Sequence, residues 1–150
     1  MIELIVVVVI LAILSSLVFF SYQSVFARGQ NDPAQEALTT LAAEELTYYQ
    51  TYGSFAATAT TLAGLEPNFS YVTGTAVSTG AGQVSADSGT ISGTPALGLA
   101  ILGDSGSCVV INVEAPSSSR ANLTDQFTPS VSRPCSGSYA LSDVYPGSPW

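Results

Sequence analysis

The sequence predicts an α+β chain: one long N-terminal α-helix, its apolar half protruding and its second half packed on an antiparallel β-sheet, then a disulfide-tied C-terminal region. Three observations predict it. Residues 2–20, IELIVVVVILAILSSLVFF, form an apolar run in which Glu3 is the only ionisable side chain. Residues 33–53 carry apolar side chains at 3-4 spacing and end on glycine. Beyond Gly53 the composition turns to Gly, Ser, Thr and Ala, with short apolar runs between turn signals. The expected division is an apolar helix over 1–28 and a globular head over 29–150.

The first element, Ile2–Phe20, is about 28 Å long as a helix, close to the ~30 Å hydrocarbon core of a bilayer. A secretory signal would need a basic start, a shorter apolar run and small residues at a cleavage site, and the stretch has none of these. For a plain anchor, the first positive charge is Arg28, on the C-terminal side, which read alone leaves the larger part in the cytoplasm. The cysteines and the hydroxyl-rich composition argue the opposite. The conflict disappears if a basic leader once preceded residue 1.

RGQNDPAQ then predicts a break at 29–33: Gly29 ends one segment, Asp32 caps the next, Pro33 takes its first turn and Gln35 completes a capping box. From Pro33 the helix resumes with Leu38, Leu41, Ala42, Tyr48, Tyr49 and Tyr52 as its apolar stripe, and Gly53 is a natural C-cap. Adjacent Glu44 and Glu45 point about 100° apart, so they form no carboxylate pair and read as a solvated or interface face. The aromatic side chains Phe19, Phe20, Tyr22, Phe26, Tyr48, Tyr49, Tyr52 and Phe55 read as packing rather than a conducting stack.

Residues 70–77, 96–102 and 108–114 read as strands, the last two joined by GDSGS as an antiparallel hairpin. Residues 78–95 lack a period and are expected as loop or weak strand, and 115–150 as a Pro-rich irregular tail. Cys108 and Cys135 are either buried free thiols or one disulfide, and the export implied by the apolar N-terminus favours the disulfide. Such a loop closure stabilises a fold by about 3 kcal/mol. Asn68 and Asn122 begin N-glycosylation sequons, a weak signal in itself.

Composition excludes much chemistry. With 3 Arg, no Lys and no His against 11 acidic residues, the net charge is −8. The chain has no imidazole for a catalytic triad or a zinc site, and no lysine for a Schiff base or a phosphate loop. The expectation is no enzyme and no cofactor, and a surface that is a poor match for nucleic acid, with Arg120 and Arg133 as its main positive side chains.

IELIVVVVILAIL followed by SYQSVFARGQ resembles the N-terminal region of type IV pilins and type II secretion pseudopilins, with weaker support from YYQTYGSF and the late cysteine pair. The match is close over the N-terminal third and extends to the remainder only in layout. The resemblance implies a type IV pilin-like fold, with residues 1–28 as transmembrane and filament-core helix. Its core positions would be Ile2, Leu4, Ile5, Val8, Ile10, Leu11, Leu14, Phe19 and Phe20. It implies that Glu3 attracts the N-terminal amine of a neighbouring subunit during assembly, since a paired carboxylate costs far less in hydrocarbon than a bare one. In the family that glutamate is the fifth mature residue and here it is third, so two residues are expected before Met1. The family commonly has Gly and Pro in this helix where Ala12 and Phe20 stand here. The partners it implies are copies of the chain itself, the inner membrane before assembly, a prepilin peptidase, a platform protein and ATPases. It also implies methylation, and residence first in the inner membrane and then in an extracellular pilus with no nucleic acid on the shaft. The expected function is thus a major pilin, with a pseudopilin of a secretion or competence system, or a membrane-anchored binding module, as alternatives.

Overall fold

The structure, a computed structural model, describes residues 7, 32–114 and 121–142. The expectations for Glu3, for the core positions Ile2 to Phe20 and for Arg28 and Arg120 lie outside the described residues. Val7 is exposed. Among the described residues no helix is long and apolar enough to cross a membrane.

The described part is α+β. Helix α1 spans Asp32–Tyr52 and α2 spans Ala59–Leu65. Five strands follow: β1 Ser70–Thr73, β2 Gln83–Ile91, β3 Thr94–Leu102, β4 Cys108–Glu114 and β5 Ala121–Phe127. A short helix, α3, covers Gly137–Ala140. The strands form one sheet in the order β1-β2-β3-β4-β5.

Helix α1 nearly coincides with the expected 33–53, although Asp32, expected as its cap, is already helical. It ends at Gly53, where φ of +72° suits glycine and the amide donates to the Tyr49 carbonyl at 2.8 Å. Its buried stripe is Ala34, Leu38, Leu41, Ala42 and Glu45, with Tyr48 and Tyr49 half-buried beside it. Tyr52, expected on that stripe, is in phase with it but is 67% exposed as the last residue of the helix.

The sheet is mixed, which corrects the expectation of an antiparallel one: β1 runs parallel to β2, and the other three pairings are antiparallel. Gly74, with φ of +69°, ends β1, so the strand is shorter than the expected 70–77. Part of 78–95, expected as loop or weak strand, is the nine-residue strand β2. It turns into β3 through Ser92 and Gly93, both at positive φ, the tight hairpin geometry that matches strand twist. The β3–β4 hairpin forms as expected, with Gly103 donating to the Ser107 carbonyl at 2.9 Å. The expected irregular tail contains β5 and α3.

Period-2 alternation gives the sheet two different faces. Toward α1 point Val84, Ala86, Leu97, Leu99, Ile101, Val109, Ile111 and Val113, which build the main core with Leu38, Leu41 and Leu62. On the opposite face Ala100, Cys108, Val110 and Phe127 pack against Cys135 and Ala140. There α3 lies almost directly on the strands. A Cβ on Gly98 would sit 2.1 Å from the Gly137 carbonyl oxygen, and one on Gly137 would sit 2.4 Å from the Asp87 nitrogen. Only glycine permits that approach.

Candidate functional site

Cys108 and Cys135 form a disulfide, with Cα atoms 5.5 Å apart. It pins the start of β4 to the segment that leads into α3. Serine hydroxyls complete this end of the molecule. Ser85, fully buried on β2, accepts from the Gly137 amide at 2.9 Å and donates to the Ala76 carbonyl. Ser78 donates to the Gln83 carbonyl at 2.6 Å and accepts from the Leu102 amide at 2.9 Å, while its own amide donates to the Cys135 carbonyl at 2.8 Å. Arg133, expected as a main positive side chain of the surface, is half-buried: its guanidinium lies 4.3 Å from the centroid of the Phe127 ring and its Nε donates to the Tyr139 hydroxyl at 3.0 Å.

A second constellation sits where α1, α2 and β1 meet, and sequence reasoning missed it. Glu45, expected on a solvated or interface face, is fully buried within the apolar stripe. Its Oε2 accepts from the Ala56 amide at 3.0 Å, and its Oε1 has no hydrogen-bond partner. Burial raises its pKa to about 7, with the Ala56 bond opposing and neighbouring Glu44 adding to the rise. Glu44 is half-buried and likewise raised, by burial and then by Glu66. Tyr71 on β1 donates to the Glu66 carbonyl at 2.9 Å. Its hydroxyl is pushed up by burial and by Glu66, Glu44 and Glu45 in turn. The signal for Glu45 was present in the spacing: 38, 41/42, 45 and 49 continue one helical stripe, and the residue type concealed it.

Helix α2 is held against this junction by a capping box in which Thr58 and Thr61 bond reciprocally. Between α1 and α2 runs an open groove of about 480 Å³, lined by Glu44, Thr47, Tyr48, Tyr52, Thr61 and Leu65 among others. The Tyr48 and Tyr52 rings stack along it at 4.4 Å, and Tyr49 meets Phe55 at 4.7 Å.

The outward face of α1 has its own chemistry. Thr39, Thr47 and Thr51 each donate to the carbonyl four residues back, at 2.7, 3.1 and 3.0 Å. Their hydroxyl donors are therefore satisfied within the helix, and what they offer a neighbour is a methyl group and oxygen lone pairs. Ala43 and Thr40 share this exposed face.

Of the sequon residues, Asn68 is exposed in the turn after α2, where its Nδ2 donates to Glu66 Oε2 at 3.3 Å, and Asn122 lies within β5 opposite Asn112. Among the described residues no group of three or more His, Cys, Asp or Glu side chains is arranged to hold a metal ion. Comparison with family models, with characterised proteins and with solved structures finds no match.

Proposed function

We propose that this chain is the structural subunit of a surface filament, a major pilin that polymerises through its N-terminal helix into a type IV pilus. The observation that carries the reading is the two-sidedness of α1. One side is buried on the sheet, while the opposite side carries Thr39, Ala43, Thr47 and Thr51, small residues whose three hydroxyl donors are bonded within the helix, with Glu36, Thr40 and Gln50 exposed among them. The small residues let another helix approach closely without stranding those hydroxyl donors. The apolar run 2–20 leads into this helix, and in a filament the run from many copies would form a common apolar core.

In this reading the subunit waits in the inner membrane, is processed by a prepilin peptidase, and is then stacked by a platform protein and ATPases. Glu3 draws the chain onto the N-terminal amine of a neighbour. The sheet and the disulfide-tied region face outward as a pilin-like head. The 3 Arg against 11 acidic residues suit a shaft that does not bind nucleic acid.

The test is electron microscopy of sheared cell-surface material, with mass spectrometry of the subunit, in cells producing the chain or its Glu3→Ala variant. Thin filaments made of this chain, lost in the variant while the protein accumulates in the membrane, are the expected outcome. Normal filament numbers from the variant would remove Glu3 from assembly. Recovery of the chain solely as a membrane protein would favour a pseudopilin or an anchored binding module.

A further inference from the structure

A carboxyl group buried without a counter-ion is costly when charged and tolerable when neutral. Glu45 stands in that position. It is fully buried in α1's stripe, one oxygen holds the Ala56 amide, and the other has no partner. The titratable groups that act on it are Glu44 beside it on α1 and Tyr71 on β1, and Glu66, just past α2, acts in turn on those two. The sheet residues beneath α1 on β2, β3 and β4 are Val, Ala, Leu and Ile. Among the described residues the one cationic side chain, Arg133, is on the other face of the sheet, against Phe127 and Tyr139.

The Glu45–Ala56 bond also has a mechanical position. It spans eleven residues and fastens the 53–58 turn, between α1 and α2, to the C-terminal half of α1. Ala56 and Phe55 are buried by that turn. The same two helices form the walls of the groove that holds Tyr48 and Tyr52.

We propose that Glu45 is a proton-operated latch: neutral, it keeps the 53–58 turn closed on α1, and ionised, it loosens that turn and the α1–α2 junction with it. The device is independent of whether the chain forms filaments. The sign follows from the direction of the shift. A carboxyl whose folded-state pKa lies above its unfolded value favours the fold most below about 4.5, and that advantage is lost as pH rises through about 7. Acid therefore tightens the head and mild alkali loosens it, the reverse of the usual behaviour of a salt-bridged carboxylate.

The experiment uses the full chain in neutral detergent micelles, followed by thermal unfolding between pH 5 and 8.5 and by hydrogen exchange at Ala56. Tm of the unaltered chain is expected to fall by roughly 5 °C across that window. Glu45→Gln, which keeps an acceptor but cannot ionise, should abolish most of the fall and slow Ala56 exchange at pH 8.5. A Tm that is constant or rises with pH, or a Glu45→Gln slope equal to that of the unaltered chain, would overturn the proposal. Should Glu45→Gln not fold, carboxyl ¹³C titration of the unaltered chain decides: a Glu45 midpoint near 7 supports the latch, and one at or below 4.5 refutes it.

Discussion

On its α1 side the sheet meets Leu38, Leu41 and Leu62; on its other side it meets backbone, in the near-contact of Gly98 with Gly137. The first face is closed by apolar area, which is non-directional and tolerates small shifts. The second, beside a smaller apolar cluster of Ala100, Val110, Phe127 and Ala140, is closed by groups that work at one geometry each: a disulfide, the buried hydroxyls of Ser85 and Ser78, two glycines and a guanidinium on a ring. One sheet thus shows that a strand can be buried by volume on one side and by register on the other. The volume side should fail through cavities, and the register side through misplacement.

The largest expected effect is on the volume side. Leu38→Ala removes a fully buried side chain from the centre of the α1 stripe and should cost about 4 kcal/mol, read as a fall in the denaturant midpoint. Hydrogen exchange should rise across β3 and β4 together, since their α1-facing residues share that core. A loss confined to α1 would break the comparison, by showing that the sheet stands without its helix.

Reduction of Cys108–Cys135 should cost about 3 kcal/mol, since the bond closes a loop with a sequence separation of 27. Exchange should then quicken at Ser78, whose amide donates to the Cys135 carbonyl, and at Gly137, just past Cys135, whose amide donates to Ser85 Oγ, before it quickens in α1. Equal quickening on both faces would show them to be one cooperative unit.

Gly98→Ala should cost about 2 kcal/mol, because its methyl group meets a main-chain carbonyl that has little freedom to move. Displacement of α3, seen as weakened Phe127–Tyr139 ring contact in NMR, is the local readout. The smallest effect is a gain. Gly64→Ala, in α2 with nothing within 4 Å of the new Cβ, should stabilise by up to ~1 kcal/mol. A loss there comparable to that of Gly98→Ala would show that clash geometry is not what separates the two glycines.

The same contrast explains which elements could be read before the structure. Helix α1, its Gly53 cap, strand β4 and the β3–β4 hairpin belong to the volume side, and volume leaves a hydrophobic period in the residues. Strand β2 was legible only as loop or weak strand because its residues at 85 and 87 are Ser and Asp, facing the register side, where a hydroxyl satisfied by Gly137 replaces an apolar contact. That bond joins residues 52 apart, and no local pattern encodes it. The parallel pairing of β1 with β2 and the short α3 escaped for the same reason. The disulfide could be anticipated from cysteine identity and the apolar N-terminus. The burial of Glu45 was not anticipated although its helical phase encoded it, because the charged residue type outweighed that phase.

The disulfide has a consequence for extension. A chain pulled from its ends lengthens by about 3.4 Å for each residue released. Cys108–Cys135 places the intervening span, a separation of 27, behind a covalent short-circuit that no tensile load reaches while the bond is intact. The oxidised head therefore has about 90 Å less contour length to yield than the reduced one. The hidden span includes the whole of β4 and β5, so the sheet keeps its two C-terminal strands joined to each other under loads that strip away β1.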